Sequence, residues 1–115
     1  RSVDIVQPDV AMSGGITENR RIAALAGTHN IRYAPHVWGS GVTFAASIHL
    51  AMHAPNCFIF EVSQSNSPLN WKLFVEPFEI KDGYVYAADR PGLGFTLQDG
   101  LEKLYPFQKG PSYIY

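Results

Sequence analysis

Three short apolar runs, each ending on an ionisable residue, stand out in the first half of the chain. They cover residues 3–9, 31–36 and 57–61 and end on Asp9, His36 and Glu61. Runs of this length, bounded by turn residues, are typical of strands buried on both faces of a parallel sheet. In such sheets the loops beyond the carboxyl ends of the strands build the functional site. The pattern therefore predicts strands that carry an acid, an imidazole and a second acid to one edge.

Segments of helical length separate these runs, and each segment follows a glycine turn. Residues 17–30 follow Gly14-Gly15, and residues 42–53 follow Gly39-Ser40-Gly41. The order of strand, helix, strand, helix and strand is that of parallel α/β units, whose crossovers are almost always right-handed. The first half of the chain is therefore predicted to be α/β. Three strands alone would leave two edges unpaired, so we expect neighbouring strands from elsewhere in the protein.

The second half of the chain has a different pattern. Apolar segments at 77–80 and 84–86 flank an Asp-Gly dipeptide, which predicts a hairpin. The apolar periodicity over residues 97–105 predicts a short final helix, although Gly100 weakens it. Residues 108–115 contain aromatic side chains, and we expect this tail to lie against a surface.

Composition narrows the possible functions. The chain has 115 residues and a formal net charge of −1, which gives no broad attraction for nucleic acid or an anionic membrane. It has no apolar stretch of about 20 residues that would predict a membrane span, and no signal-peptide pattern. Cys57 is the only cysteine, so no internal disulfide is possible and a reducing cytoplasm is the simplest compartment. Its thiol is interpreted as a packed strand side chain rather than as a nucleophile. The start at Arg1 without Met suggests a fragment or a processed chain.

Asp9 and His36 are the strongest candidates for chemistry. They lie 27 positions apart, close to the length of one βα unit, so we expect them on adjacent strand ends about 4.8 Å apart. The aspartate can then fix the tautomer of the imidazole and leave its other nitrogen to a substrate. The alternative is a packed histidine and an aspartate that caps a local turn. Glu61 could flank the pair, or it could anchor a loop.

Other polar groups give weaker signals. His49 and His53 have the spacing of two metal ligands on a helix, but the Glu required after the first His in the zinc protease motif is missing. The glycine turns at residues 14–15 and 39–41 could bind an anion through backbone N–H groups, or could be simple strand-to-helix turns. Trp38 is a candidate wall of the site, although an aromatic residue there could equally be packing.

Several short motifs occur in an order that is shared with one enzyme family. They are Gln7-Pro8-Asp9, Gly14-Gly15-Ile16-Thr17, Pro35-His36-Val37-Trp38-Gly39-Ser40-Gly41, Phe60-Glu61-Val62, Asp82-Gly83-Tyr84-Val85 and Asp89-Arg90-Pro91-Gly92-Leu93-Gly94. Over residues 3–105 this order resembles the mandelate racemase subgroup of the enolase superfamily, within the mandelate racemase and muconate lactonizing enzyme family.

The resemblance implies a fold and a place within it. Residues 1–70 would form the last three βα units, strands six to eight, of a TIM-like (β/α)7β barrel. Residues 71–115 would form a hairpin and helix segment that returns to a capping domain absent from this chain. A complete barrel of this kind needs about 200 residues or more, so this chain could not close one alone.

The resemblance also implies roles for the strand-end residues. His36 matches the general acid/base, Asp9 the aspartate that supports it, and Glu61 the residue that hydrogen-bonds the substrate carboxylate or its enolate. Trp38 is a candidate substrate-binding residue by its position next to His36. The expected cofactor is Mg²⁺, which stabilises the enediolate formed when the proton α to a carboxylate is removed. Its three carboxylate ligands and a lysine base would precede Arg1, so no metal ligand is expected here.

We therefore expect the chain to be the C-terminal portion of a magnesium-dependent acid-sugar dehydratase, which is a hydro-lyase. The full-length protein would be cytoplasmic and homo-oligomeric, and this segment alone would be inactive. Its partner would be a small carboxylate, with no nucleic acid and no membrane. Met12 occupies a turn where some relatives place a lysine, which makes a mandelate-like racemase less favoured. A racemase or epimerase of the same subgroup remains an alternative, as does a non-catalytic remnant or assembly element.

Overall fold

The computed structural model describes residues 2–110, so most of the predicted tail lies outside the described part. The elements, in chain order, are β1 (Ile5–Val6), α1 (Gly15–Thr28), β2 (Arg32–Tyr33), α2 (Gly41–His53), α3 (Pro68–Trp71), β3 (Ile80–Lys81), β4 (Tyr84–Val85) and α4 (Leu101–Leu104). The alternation of strands and helices in the first half agrees with the prediction, and both long helices begin within two residues of the predicted start.

The first two runs pair in parallel. Ile5 lies opposite Arg32 and Val6 opposite Tyr33. An isolated parallel bridge between Asp9 and His36 continues the same register to the ends of the runs. Since side chains alternate along a strand, Asp9 and His36 project from the same face of this pair. The predicted adjacency of the two strand ends is therefore observed.

The third run joins the sheet at one point and is not the continuous strand that was predicted. A single parallel bridge connects Tyr33 and Cys57. Cys57 packs with Tyr33 on the helix side of the sheet, yet Phe60 and Val62 also pack on that side, against the Phe44 cluster. Residues at odd and even positions thus share a face, which means that the alternation shifts by one residue between them. Within the described residues of the third run no bridge follows Cys57, so backbone pairing does not set the direction of the residues after it.

The helices cover the sheet on one side. Gly14 and Gly15 have φ values of 85° and 80°, a left-handed conformation that glycine adopts without strain, and they turn the chain directly into α1. Helix α2 is buried along most of its length. At its start, a Cβ on Gly41 would lie 2.8 Å from the carbonyl oxygen of Asn70, so only glycine allows α2 and α3 to approach this closely.

The C-terminal segment contains one confirmed prediction and one correction. Strands β3 and β4 form the expected antiparallel hairpin, with Asp82 and Gly83 at positive φ in the turn. The predicted helix over residues 97–105 is wrong in its first half. Leu97 forms an antiparallel bridge with Phe74, and α4 begins only after Gly100, whose φ of 73° interrupts any helix that started earlier.

An aromatic cluster joins the two halves of the chain. Ring centroids lie 4.4 to 6.3 Å apart in a network of six residues: Phe44, Phe60, Trp71, Phe74, Phe78 and Phe95. These separations and their mostly edge-to-face angles are those of stabilising aromatic contacts. The cluster connects α2 to the segment that follows the third run.

The chain nevertheless exposes much surface. Its accessible area is 8267 Å², whereas a folded monomer of this mass exposes about 6200 Å². Apolar side chains at both edges of the sheet contribute to this exposed area, among them Ile5 at 40% and Ile59 at 58% exposure. Within residues 2–110 no helix is long and apolar enough to cross a membrane.

Candidate active site

Asp9 is almost fully buried at the end of the first run, and its carboxylate has two separate functions. Oδ1 accepts hydrogen bonds from the backbone N–H groups of Ala11 and Met12, at 2.7 and 3.2 Å. Oδ2 lies 2.9 Å from Nδ1 of His36. The two alternatives considered for this residue, a turn cap and a partner of the histidine, are thus both present in one side chain.

His36 presents one ring nitrogen to Asp9 and leaves the other open. Its backbone N–H donates to the carbonyl of Pro8 at 3.1 Å, which fixes the strand end beside Asp9. A carboxylate can only accept a hydrogen bond, so Nδ1 carries the proton and the neutral ring has its lone pair on Nε2. Nε2 has no hydrogen-bond partner within residues 2–110, and the side chain is 39% exposed. This nitrogen can therefore exchange a proton with a bound molecule.

Glu61 is held against the same strand end. Its Oε2 accepts the backbone N–H of Val37 at 2.8 Å and lies 3.5 Å from Nε2 of Gln7. Oε1 has no protein partner in the described part of the chain. Glu61 thus contacts the residue after His36 but makes no hydrogen bond to the imidazole itself. Its predicted role toward a substrate stays a prediction.

Gln7 is a site residue that the sequence analysis did not single out. It lies two positions before Asp9, so the period of a strand places both side chains on one face. The register of β1 and β2, continued to the Asp9–His36 bridge, puts Gln7 beside Ala34, and its side-chain amide reaches Oε2 of Glu61 at 3.5 Å. The i, i+2 spacing within the Gln7-Pro8-Asp9 motif was the available signal.

Trp38 lines a small cavity that also has three serines and an asparagine in its wall. The cavity has a volume of about 200 Å³ and is lined by the side chain of Trp38 together with Gly39, Ser63, Ser65, Ser67 and Asn70. Trp38 itself is 62% exposed. An exposed indole at the mouth of a site is available to a ligand, although its assignment to substrate binding remains a prediction.

The weaker candidates take structural roles. His49 contacts the carbonyl of Leu93 at 3.1 Å, and His53 accepts from Arg20 at 3.3 Å, so the two imidazoles face different partners. Within residues 2–110 no group of three or more His, Cys, Asp and Glu could hold a metal ion. Burial raises the pKa of the Cys57 thiol, which keeps it protonated and unreactive.

Comparison with known families identifies the chain. The family model described as Enolase C-terminal domain-like matches residues 1–101. The chain belongs to this family, and its relatives include mandelate racemase and muconate lactonizing enzyme proteins and acid-sugar dehydratases. The resemblance drawn from the motif order is thereby confirmed.

Two curated relatives illustrate the range of activities. The chain is 37% identical over 105 residues to an arabinonate dehydratase of Saccharolobus solfataricus, covering 91% of this chain and 28% of that protein. It is 38% identical over 104 residues to a D-galactarolactone cycloisomerase of Agrobacterium fabrum, covering 84% of this chain and 28% of that protein. The chain thus spans little more than a quarter of the length of these relatives.

Solved structures agree with this assignment. A member of the enolase superfamily from Polaromonas sp. JS666 matches 99% of this chain and 30% of its own, with a TM-score of 0.89 and 37% identity. A mandelate racemase/muconate lactonizing enzyme from Jannaschia sp. CCS1 matches 95% of this chain and 28% of its own, with a TM-score of 0.84 and 32% identity. These neighbours are TIM-barrel proteins, which supports the α/β class.

Proposed function

We propose that this chain supplies the acid/base part of an acid-sugar dehydratase site. The observation that carries the proposal is the pairing of Asp9 with Nδ1 of His36, which leaves Nε2 open at the strand ends. Relatives that include an arabinonate dehydratase and a D-galactonate dehydratase support the choice of reaction. The substrate would be a small hydroxylated carboxylate.

In such a reaction a proton leaves the carbon α to the carboxylate, and the hydroxyl on the β carbon departs as water. Neutral His36 can accept the α proton at Nε2, or protonated His36 can donate from Nε2 to the departing hydroxyl. In both states Nδ1 keeps its proton and donates it in the hydrogen bond to Asp9, so the ring orientation does not change. Asp9 is therefore a positioning residue, and His36 exchanges the proton.

Glu61 and Trp38 would bind the substrate. Because Oε2 of Glu61 already accepts the Val37 N–H, Oε1 is the atom left to meet a substrate oxygen. A contact with a carboxylate or enolate oxygen requires a hydrogen, so Glu61 would act as a protonated donor through Oε1. The exposed ring of Trp38 would cover one side of the bound molecule.

The described residues do not themselves form a Mg²⁺ site. Asp9 is committed to His36 and to the turn, Glu61 is committed to Val37, and residues 2–110 contain no suitable cluster of ligands. Carboxylates outside this segment would hold the metal, which supplies charge stabilisation to a carboxylate substrate. The proposed arrangement has residues 1–70 as barrel strands six to eight and residues 71–115 as the return segment, in a cytoplasmic homo-oligomer. The large exposed apolar surface supports such neighbours.

A second candidate is an isomerase of the same subgroup, and the similarity to a cycloisomerase favours it. In a racemase or epimerase, Nε2 of His36 would deliver or remove the α proton on one face, and the β hydroxyl would stay in place. The two reactions use the same pair of residues. They differ in whether water is lost.

The test begins with the intact mass of the expressed polypeptide. A mass near 12.7 kDa would favour a non-catalytic or assembly role, whereas a mass about three times larger would justify assays. D-arabinonate and D-galactonate are then incubated with Mg²⁺, and formation of the 2-oxo-3-deoxy acid is measured. Exchange of the α proton in D₂O without loss of water would indicate the isomerase instead.

His36→Asn is the decisive variant in that assay. It should abolish turnover and leave Mg²⁺ binding intact, because His36 lies outside the proposed metal site. Turnover retained in this variant would remove His36 from the mechanism and overturn the proposal.

A further inference from the structure

We propose that the cavity beside Trp38 is a subsite for the neutral hydroxyl groups of the substrate chain, formed by Ser63, Ser65 and Asn70. The inference rests on the proposed function only in assuming that the carboxylate end of the ligand binds near His36 and Glu61. It assigns the opposite end of the ligand to the loop that follows Glu61.

Ser63 presents a hydrogen-bond donor to the cavity. Its Oγ accepts the backbone N–H of Ser65 at 3.2 Å and the side-chain amide of Asn70 at 3.3 Å. A hydroxyl has one proton to donate and two lone pairs with which to accept. Both acceptor positions of Ser63 are therefore used, and its proton has no acceptor within residues 2–110. An oxygen of a bound ligand could accept this proton.

The neighbouring groups add a second donor and an acceptor. Oγ of Ser65 accepts the N–H of Ser67 at 3.2 Å, so its proton is also available. The amide nitrogen of Asn70 donates one of its two hydrogens to Ser63, and the amide oxygen of Asn70 is available as an acceptor. The close approach of Gly41 to the Asn70 backbone and the 2.6 Å bond from Trp71 Nε1 to the Ser65 carbonyl hold these groups in place.

This combination fits hydroxyl groups better than a second carboxylate. A hydroxyl both donates and accepts, as the cavity does, whereas an ionised carboxylate only accepts and would oppose the amide oxygen of Asn70. No residue that lines the cavity is charged, so the lining offers no cation to balance a second carboxylate. An anionic group at this position would therefore be poorly stabilised.

The position of the cavity suits a sugar acid. Ser63 follows Glu61 by two residues and Trp38 follows His36 by two, which corresponds to about 7 Å along an extended backbone. An extended five- or six-carbon acid with its carboxylate near Glu61 spans a comparable distance. A three-carbon acid would end before it reached the serines.

The experiment measures dissociation constants by calorimetry with Mg²⁺ on the intact expressed polypeptide carrying His36→Asn, so that no acid is consumed during the titration. The ligands are D-galactonate, D-arabinonate and D-glycerate, which share the carboxylate and the α hydroxyl but differ in chain length. Ser65→Ala should weaken the two longer acids roughly three- to tenfold, the effect of one neutral hydrogen bond, and leave D-glycerate unchanged. Asn66→Ala, in the same loop but outside the cavity, is the matched control. Ser63→Thr keeps the hydroxyl and should bind like the His36→Asn parent protein if the loop is intact.

Equal weakening of all three acids, or no weakening of any, would overturn the subsite. Binding of galactarate that is tighter than that of D-galactonate and lost in Ser65→Ala would overturn it in favour of a carboxylate subsite. If the chain-length dependence holds but the protein with His36 in place turns over no acid, the subsite stands and the dehydratase proposal fails. Thermal unfolding of each variant separates loss of a contact from loss of the loop.

Discussion

The strand-end region, residues 2–62, and the C-terminal segment, residues 72–105, are ordered by different interactions. In the first, parallel backbone pairing fixes Asp9 beside His36, and two long helices cover one face. In the second, the strands are as short as those of the first, with two residues each, but the helix has only four residues, and the rings of Phe74, Phe78 and Phe95 pack against one another. The candidate site thus lies on the part of the chain where parallel backbone pairing sets two strand ends side by side.

The two regions meet at Phe44. Its ring lies 5.3 Å from Phe60 in the third run, 5.6 Å from Trp71 and 4.4 Å from Phe78. The C-terminal segment thus supports the third run, and with it Glu61, through side-chain contacts alone. Each of the following predictions perturbs one region or their junction.

The largest effect is expected for Asp9→Asn in the intact enzyme. Asparagine can keep the hydrogen bonds to Ala11 and Met12 through its amide oxygen, but its NH₂ group would face Nδ1 of His36 and favour the wrong tautomer. Turnover should fall about 10²- to 10⁴-fold. The measurement is kcat with an acid-sugar substrate, together with thermal unfolding.

Asp9→Ala is the contrasting variant. It removes the turn cap as well, so it should lose activity to a similar degree and also lose about 1–2 kcal/mol of stability. If both variants were equally stable, the carboxylate would have no role in the turn.

The junction is tested by Phe44→Ala. Removal of this buried ring should lower the free energy of unfolding by about 3–5 kcal/mol, because the surrounding cluster cannot collapse fully into the space. The same substitution at Phe107, which is 92% exposed, should change stability by less than about 0.5 kcal/mol. Denaturant unfolding monitored by tryptophan fluorescence compares the two. Equal effects would show that the cluster does not join the regions.

Tyr33→Phe tests the packing beneath the strand ends. Tyr33 is fully buried and its hydroxyl has no hydrogen-bond partner among residues 2–110. Burial raises the pKa of this hydroxyl from 10.0 to about 12. Removing the unpaired hydroxyl should raise stability by about 1 kcal/mol at neutral pH. The variant should also lose less stability than the wild type when the pH is raised above about 10.

The direction of that loss follows from the two pKa values. Above pH 10 the unfolded chain releases the Tyr33 proton while the folded chain retains it to about pH 12, so stability falls across this interval. Unfolding curves at several pH values measure the slope. Tyr84→Phe, at a residue that is 69% exposed, serves as the control and should leave the slope unchanged.

The smallest effect is expected at Glu76 in the C-terminal segment. The backbone N–H of Thr96, its hydroxyl and Arg90 contact this carboxylate and hold its pKa below 4.5. The stabilisation is therefore present above about pH 4.5 and is lost as pH falls through the lowered pKa. The amide resonance of Thr96 should titrate with a midpoint below 4.5, and Glu76→Gln should abolish this titration. An unchanged titration would exclude Glu76 as the partner.

Much of the strand-end region could be predicted from the sequence because local rules decide it. The spacing of 27 positions placed Asp9 beside His36, and glycine turns marked the helix starts. The Asp-Gly dipeptide likewise identified the hairpin, since both residues adopt the positive φ that its turn requires. In these cases the deciding interaction lies within one βα unit or one turn.

The remaining features depend on contacts between distant residues. The shift of alternation in the third run follows from Phe60 packing against Phe44, and strict alternation from Cys57 would have turned Glu61 to the other face. Gln7 meets Glu61 across 54 positions of the chain, through a side-chain contact of 3.5 Å. The hydrophobic pattern of a single sequence does not show which distant side chains will pack together.

The two oxygens of Asp9 place this position under two structural requirements, whereas His36 meets only one of them. One oxygen serves the backbone turn and the other serves the imidazole. A descendant that lost the chemistry would release His36 from selection, yet would still need an acid to complete its turn. In a genome survey, an aspartate here would thus indicate ancestry, and only the accompanying histidine would indicate a working enzyme.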